Sequence, residues 1–233
     1  MADFVAVTVN GEDMQVYLAT PEPLETHPAV LVMHHRYGID DFTKDICHRL
    51  AKLGFVGAAP DVFHRQPADT ALEKRSSLLR DSEVVADIEA TLGLLKGHSN
   101  VRADRLAILG HCMGGRMTFL GAAAFADFIA AVPYYSGNMT ISWGDEGITP
   151  FDRLKDIPCP VLGFFGNDDE NPTEADVDAI SAELTRHGKA HEFHKYDGAG
   201  HAFQNFLSPD RYREEAAQDA WAKTEAFLAE NLH

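Results

Sequence analysis

The chain has 233 residues, of which 45% are hydrophobic, and both values suit a globular protein with a substantial core. Its 36 acidic residues outnumber its 20 basic ones, so the formal net charge is −16. A surface of this charge repels phosphate backbones and anionic lipid headgroups. The composition therefore argues against nucleic acid and membranes as partners.

The chain also lacks the sequence signals of export. No apolar run approaches the roughly 18 residues that cross a bilayer, and the first residues show no basic region followed by an apolar one. The three cysteines, Cys47, Cys112 and Cys159, are odd in number and widely spaced, which argues against a disulfide framework and a CxxC metal site. We therefore expect a reduced, cytoplasmic protein.

The predicted elements begin with a β-hairpin, because alternating apolar residues flank an Asn-Gly turn in "FVAVTVNGEDMQVYLA". The continuous apolar runs at 29–35 and 55–61 predict strands that are buried on both faces. Between them, residues 41–53 have the pattern of a helix that ends at Gly54. Residues 70–96 then show helical spacing with a break near Asp81.

The second half of the chain alternates regularly between strands and helices. Strands are predicted at 105–110, 128–137, 159–166 and 191–196, and helices at 113–125, 173–187 and 209–232. Residues 137–150 form the longest predicted loop. Strands that alternate with helices in this way predict a mostly parallel sheet with helices on both faces. We expect an α/β protein with one domain over residues 1–233.

The stretch "AILGHCMGGR" places Cys112 between glycines, after a predicted strand and before a predicted helix. Gly-x-Cys-x-Gly at such a turn is typical of a nucleophile elbow with cysteine in place of serine. The glycines let the strand and the helix approach closely, and the helix N-terminus lowers the pKa of a thiol there. The alternative is a small buried cysteine, an interpretation that suits Cys47 and Cys159 better.

An elbow fold carries its acid and then its histidine after the nucleophile. This chain supplies "GNDDENP" after the strand that ends at Gly166 and "GAGHAF" after the last strand. His201 would accept the thiol proton, and an aspartate would orient the imidazole ring. Either Asp168 or Asp169 suits that role from the residues alone, since the other is explained as a turn residue.

Together these motifs resemble the dienelactone hydrolase family of the α/β-hydrolase fold. The resemblance covers nearly the whole chain and includes "AVLVMHHRYGID", "GFVGAAPDVFHR", "GHCMGG", "FGNDDENP" and "GAGHAF". It implies an α/β-hydrolase fold with an N-terminal antiparallel hairpin, no cofactor, and hydrolysis of a small carboxylic ester or lactone through a thioacyl intermediate. It also implies a triad of Cys112, His201 and Asp169, three residues after the strand-end glycine. We expect a monomer or a weak homodimer.

Two positions depart from the founding members of that family. The founding members carry a glutamate that contacts the thiol at the position of His35 in this chain. They carry a substrate-binding arginine at the position of Asn205. Arg75 and Arg80 are candidates for a second such arginine, so dienelactone itself is less expected than another ester or lactone. His35 could favour the thiolate or only line the pocket. A metal site with His34 is disfavoured because adjacent strand residues point to opposite faces.

The oxyanion hole would use the backbone N–H groups of Met113 and Arg36. Several aromatic residues are candidate pocket walls, with core packing as the alternative for each: Tyr37, Tyr134, Tyr135, Trp143, Phe203 and Phe206. Other functions stay open at this point. They are attack on a thioester or phosphotriester, a redox-active thiol at Cys112 without an evident resolving cysteine, and a non-catalytic binding module.

Overall fold

The computed structural model describes residues 1–23, 25–144 and 147–233. Its strands are β1 (Ala2–Val9), β2 (Glu12–Ala19), β3 (His27–Met33), β4 (Val56–Pro60), β5 (Val101–His111), β6 (Phe128–Tyr134), β7 (Val161–Gly166) and β8 (His191–Tyr196). Its α-helices are α1 (Asp41–Lys52), α2 (Leu72–Arg75), α3 (Asp81–Gly97), α4 (Met113–Ala124), α5 (Glu174–Arg186) and α6 (Glu214–Leu232). The eight strands form one sheet in the order β1-β2-β4-β3-β5-β6-β7-β8.

The sheet is antiparallel at one edge and parallel elsewhere. Strand β2 pairs antiparallel with β1 and β4, while β4, β3, β5, β6, β7 and β8 run parallel. The β1–β2 hairpin turns through Asn10 and Gly11, whose φ angles of 52° and 89° are those that Asn-Gly turns favour. The predicted α/β class, the mostly parallel sheet and the N-terminal hairpin are confirmed.

Helices cover both faces of the sheet, as predicted. Apolar residues of α3, α4 and α5 pack on one face, and those of α1 and α6 pack on the other. Successive residues of the central strands serve the two faces in turn, so Ile108 contacts the first layer and Leu109 the second. Over the described ranges, no helix combines the length and the apolar character needed to cross a bilayer.

Two predicted helices differ in the structure. The last helix begins at Glu214, whereas residues 209–213 form turns in which the Tyr212 N–H donates to Ser208 and the Arg213 N–H to Phe203. The segment 70–96 contains the short α2 and a 3-10 turn before α3 begins at Asp81, where a break was expected. The later start of α6 accompanies the contact of the Arg213 N–H with Phe203, whereas the start of α3 at Asp81 agrees with the predicted break.

The start of α4 lies so close to the central strands that only glycine fits. A Cβ atom on Gly114 would lie 2.0 Å from the Met33 carbonyl oxygen of β3, and one on Gly110 would lie 2.3 Å from the carbonyl oxygen of Gly114. A Cβ atom on Gly115 would lie 2.3 Å from Ser136 Oγ. These contacts fix the turn between β5 and α4 relative to the sheet.

We predict that Gly114→Ala destabilises the protein by about 2–3 kcal/mol, because the new Cβ must displace backbone atoms. The melting temperature should fall by about 5–10 °C for a chain of this size. The matched control is Gly93→Ala in the exposed face of α3, where an added Cβ meets no atom within 4 Å. That change should leave stability unchanged or raise it. Equal melting temperatures for Gly114→Ala and the wild type would contradict the argument.

Candidate active site

Cys112 occupies the turn between β5 and α4 in a conformation that L residues rarely adopt, with φ 59° and ψ −120°. The turn is held on both sides, since the Cys112 N–H donates to Tyr134 and the Gly115 N–H donates to Cys112. The first N–H groups of a helix have no intrahelical partner, and the Met113 N–H faces the Cys112 sulfur. The thiol therefore lies, partly buried, at the N-terminus of α4.

Three side chains from three strand ends form a connected row. His201 Nε2 lies 2.9 Å from Cys112 Sγ, and His201 Nδ1 lies 2.9 Å from Asp169 Oδ2. Asp169 follows β7, and its side chain is only 2% exposed, whereas His201 follows β8 and is 26% exposed. Asp168 is exposed to solvent, so of the two neighbouring aspartates it is Asp169 that contacts the imidazole.

The row is polarised as an ion pair. Burial opposes a charge on His201, but the hydrogen bonds and charges of Asp169 and Cys112 outweigh it and raise the pKa of His201 to about 10. Burial also opposes ionisation of the thiol. The contact with His201, the Met113 N–H and the nearby Arg36 outweigh it and lower the pKa of Cys112. Both shifts favour a thiolate beside an imidazolium.

A second polar chain lies beneath this row. His111 Nε2 lies 2.5 Å from Gln204 Oε1, and Gln204 Nε2 donates to the Tyr134 hydroxyl, which lies 2.6 Å from Thr224 Oγ1. Burial lowers the pKa of His111 to about 3, so its neutral ring donates Nε2–H to Gln204. This chain ties the residue before Cys112 to the loop that carries His201.

The two adjacent histidines after β3 point in different directions. The Val62 N–H donates to His34 Nε2, so the protonated Nδ1 of His34 donates to the His35 carbonyl at 2.7 Å. Burial lowers the pKa of His34, which keeps it neutral. His35 Nε2 instead lies 2.8 Å from Asp40 Oδ2, at the N-terminus of α1. His35 is thus paired with Asp40 while its ring borders the site.

Two cavities meet at the thiol. Both are bordered by Arg36, Cys112, His201 and Arg211. The serine cavity, of about 380 Å³, is further bordered by Ser76, Ser77, Met113, Asn138, Trp143 and Asn171. The tyrosine cavity, of about 310 Å³, is further bordered by His35, Tyr37, Phe42, Tyr135, Asn205 and Leu207. Two arginines, Arg36 and Arg211, therefore border both cavities in a chain of net charge −16.

A buried ion pair supports one wall of the serine cavity. Arg116 Nη1 and Nη2 donate to the two carboxylate oxygens of Asp81, and the guanidinium lies 3.7 Å from the centre of the Trp143 ring. Asp81 also accepts from the Trp143 N–H. Since a buried arginine needs such a partner, Asp81 fixes both the start of α3 and the position of Trp143.

Five of the predicted pocket residues border neither cavity among the described lining residues: Arg75, Arg80, Tyr134, Phe203 and Phe206. Tyr134 is fully buried, and the exposed Phe206 contacts the ring of Phe42. Arg75 donates to the carbonyls of Thr70 and Ala68, so its guanidinium is held by its own loop. Arg80 packs against Gly144, beside Trp143. Phe203 is fully buried and contacts the ring of Tyr135 from below.

Sequence reasoning missed three residues that the structure places at or under the site. Arg211 borders both cavities, yet it lies in the segment that was expected to be helical. Gln204 and Asp81 act through partners 93 and 35 residues away, which no local pattern signals. As for metal ions, no group of three or more potential His, Cys, Asp or Glu ligands is found in the part of the chain that the structure describes.

A mostly parallel sheet with this strand order and a strand–turn–helix at its centre defines the α/β-hydrolase fold. The model of the dienelactone hydrolase family matches residues 14–232, and the chain belongs to that family of hydrolases. Among curated relatives, a "Putative carboxymethylenebutenolidase" of Methylorubrum extorquens is 32% identical over 98% of this chain and 80% of the relative. A "Probable 2-oxo-3-(5-oxofuran-2-ylidene)propanoate lactonase" of a Bradyrhizobium species is 33% identical over 99% and 94%.

Solved structures agree with this membership. A crystal structure from Klebsiella pneumoniae subsp. pneumoniae, named "Putative Dienelactone Hydrolase", superposes with a TM-score of 0.91 and 29% sequence identity. The superposition covers 98% of each chain. The expected family and the expected α/β-hydrolase fold are therefore confirmed.

We predict that Cys112 is alkylated by iodoacetamide at nearly the same rate from neutral pH up to about pH 8.5, the ordinary pKa of a free thiol. The reason is that the contact with His201, whose pKa is raised to about 10, lowers the pKa of the Cys112 thiol from its ordinary range and so favours the thiolate at neutral pH. Asp169→Asn removes the charge that favours the imidazolium, so alkylation at neutral pH should slow. The matched control, Asp168→Asn, should not slow it. A wild-type rate that rises steeply around pH 8.5 would contradict the ion pair.

Proposed function

We propose that this protein hydrolyses a small carboxylic ester or lactone with Cys112 as nucleophile, His201 as acid and base, and Asp169 as the residue that orients His201. The observation that carries the proposal is the 2.9 Å contact between Cys112 Sγ and His201 Nε2, together with the second 2.9 Å contact to Asp169. The first contact joins the proposed nucleophile to its base, and the second joins that base to the acid that orients it.

The reaction proceeds in two halves. The thiolate adds to the ester carbonyl carbon, and the C–O bond to the alcohol breaks as its oxygen takes the proton from His201 Nε2. A thioester on Cys112 remains. The neutral His201 then removes a proton from water, whose oxygen attacks the thioester carbon, and the C–S bond breaks to release the acid and restore the ion pair. No co-reactant other than water is required.

The oxyanion would be held by the N–H groups of Met113 and Arg36. Met113 stands at the free N-terminus of α4, so its N–H is available. The His35 carbonyl accepts from His34 Nδ1 at 2.7 Å and from the Gly38 N–H at 3.0 Å. Because C=O and N–H point to opposite sides of a trans peptide, the Arg36 N–H is directed away from these donors. This preorganisation supports the proposed oxyanion hole.

The charge at the site also bears on the substrate. The family arginine one turn beyond the histidine is absent, because Asn205 stands there, but Arg36 and Arg211 border both cavities. A positive field beside the thiol favours esters and lactones that carry a negative charge. We therefore include anionic substrates in the proposed class.

A redox role for Cys112 is less well supported. The other two cysteines are buried, and burial raises the pKa values of the thiols of Cys47 and Cys159. Neither offers an exposed thiolate that could resolve an oxidised Cys112. The ion pair with His201 and Asp169 instead provides the proton transfers that hydrolysis needs.

The proposed roles predict a graded loss of p-nitrophenyl acetate hydrolysis. Cys112→Ala should abolish turnover, and His201→Ala should lower kcat by about 10²–10⁴-fold because a general acid and base is lost. Asp169→Asn should also lower kcat strongly, whereas Asp168→Asn, an exposed neighbour, should stay within about twofold of the wild type. Full turnover in His201→Ala, or equal losses in the two aspartate variants, would contradict the proposed triad.

A further inference from the structure

We propose that the site binds acyclic esters in two parts, with the acyl half in the serine cavity and an aromatic alcohol half in the tyrosine cavity. This inference rests on the proposed function and adds the substrate class to it. Its basis is that two cavities, of about 380 Å³ and 310 Å³, meet at Cys112 and His201, which border both. The scissile bond would therefore lie between them rather than at the bottom of one pocket.

The geometry of the addition step assigns the halves. After the thiolate adds, the carbonyl carbon carries the sulfur, the oxyanion, the acyl chain and the alcohol oxygen. The oxyanion is directed to the N–H groups of Met113 and Arg36, and the alcohol oxygen must lie against His201 Nε2, which protonates it. The acyl chain takes the direction that remains.

The walls of the two cavities match these directions. The tyrosine cavity is built largely from the segment that directly follows His201, including Ala202, Asn205 and Leu207, so it receives the group next to the imidazole. The serine cavity is bordered instead by Met113, whose N–H belongs to the proposed oxyanion hole, and by Gly137. The alcohol half therefore extends into the tyrosine cavity and the acyl half into the serine cavity.

The chemistry of the tyrosine cavity favours a flat aromatic group. The rings of Tyr37 and Phe42 both meet the His35 ring edge to face, with centroids 5.4 and 5.6 Å apart. Tyr135 adds another ring on the His201 side, 5.2 Å from the imidazole centroid. Aromatic walls in edge-to-face geometry are good partners for an aryl group.

Ring closure works against such binding. In an acyclic ester the preferred conformer is extended, so the acyl and alcohol halves point in opposite directions and reach different cavities. In a lactone the ring joins the two halves on one side of the ester group, so only one cavity is filled. The covalent step is the same in both cases, since the C–S bond forms, the C–O bond breaks and the alcohol oxygen takes the His201 proton.

The test uses one variant at each cavity rim, and both positions are exposed. Ser77→Trp narrows the serine cavity and Leu207→Trp narrows the tyrosine cavity. Phe4→Trp, on the edge strand β1, is the matched control for an exposed tryptophan. Values of kcat/KM are measured for phenyl acetate, for phenyl hexanoate with a longer acyl half, and for 4-biphenylyl acetate with a larger alcohol half.

Ser77→Trp should lower kcat/KM for phenyl hexanoate by about tenfold or more relative to phenyl acetate, because pocket contacts of a few methylenes are lost. The same variant should leave kcat/KM for 4-biphenylyl acetate relative to phenyl acetate unchanged. Leu207→Trp should show the opposite selectivity, and Phe4→Trp should match the wild type. In the wild type, kcat/KM for phenyl propionate should exceed kcat/KM for the matched lactone dihydrocoumarin, once each value is divided by the rate constant for hydrolysis of that substrate by hydroxide.

Several outcomes would overturn the inference. The assignment of the two cavities would be overturned if both cavity variants showed the same substrate selectivity. It would also be overturned if Ser77→Trp impaired hydrolysis of 4-biphenylyl acetate and Leu207→Trp impaired hydrolysis of phenyl hexanoate. A corrected preference for dihydrocoumarin would overturn the acyclic substrate class while leaving the triad intact. Absence of any ester or lactone hydrolysis by the wild type would instead refute the proposed function and this inference with it.

Discussion

The approach of α4 to the central strands is the constraint on which the site depends. Gly110 and Gly114 let the helix start lie against β3 and β5, at distances that leave no room for a Cβ atom. Cys112 is thereby held in a strained conformation whose cost the surrounding hydrogen bonds offset. Without this contact the Cys112 thiol would not lie at the N-terminus of a helix, and the charges of His201 and Arg36 would not be close to it.

The second requirement is a buried carboxylate whose oxygens are hydrogen-bonded. Asp169 is almost fully buried and accepts hydrogen bonds from the His201 ring and from the Asn171 N–H. These bonds replace water around the carboxylate, so its charge stabilises the imidazolium, which in turn stabilises the thiolate. The polar chain from His111 to Thr224 fixes the loop that carries His201, because Gln204 of that loop is one of its members. The electrostatics of the site thus follow from its packing.

Much of this arrangement could be predicted from the sequence because its signals are local. The elbow around Cys112 needs glycines within two residues, and Asp169 and His201 each follow a strand that its apolar pattern reveals. Parallel strands present their carboxyl ends at one edge of the sheet, so these side chains were expected to be neighbours. Their sequence order matches that of the α/β-hydrolase fold.

The parts that could not be predicted depend on distant partners. Arg211 was expected on a helix, but turns at 209–213 bring it to both cavities. The sequence left open whether His35 favours the thiolate or only lines the pocket, and the pairing of its ring with Asp40 at the border of the tyrosine cavity has no local signal. Asp81 supports the serine cavity only through Arg116, 35 residues away. No periodicity or motif reports such contacts.

The central claim is that Cys112 forms a covalent thioester during turnover. It is tested most directly by quenching the protein with acid within the first turnover of an acetyl ester and locating the added mass by peptide mass spectrometry. The account predicts an acetyl group on the Cys112 peptide that neutral hydroxylamine removes. Turnover without any adduct on Cys112, or hydrolysis that persists in Cys112→Ala, would contradict it.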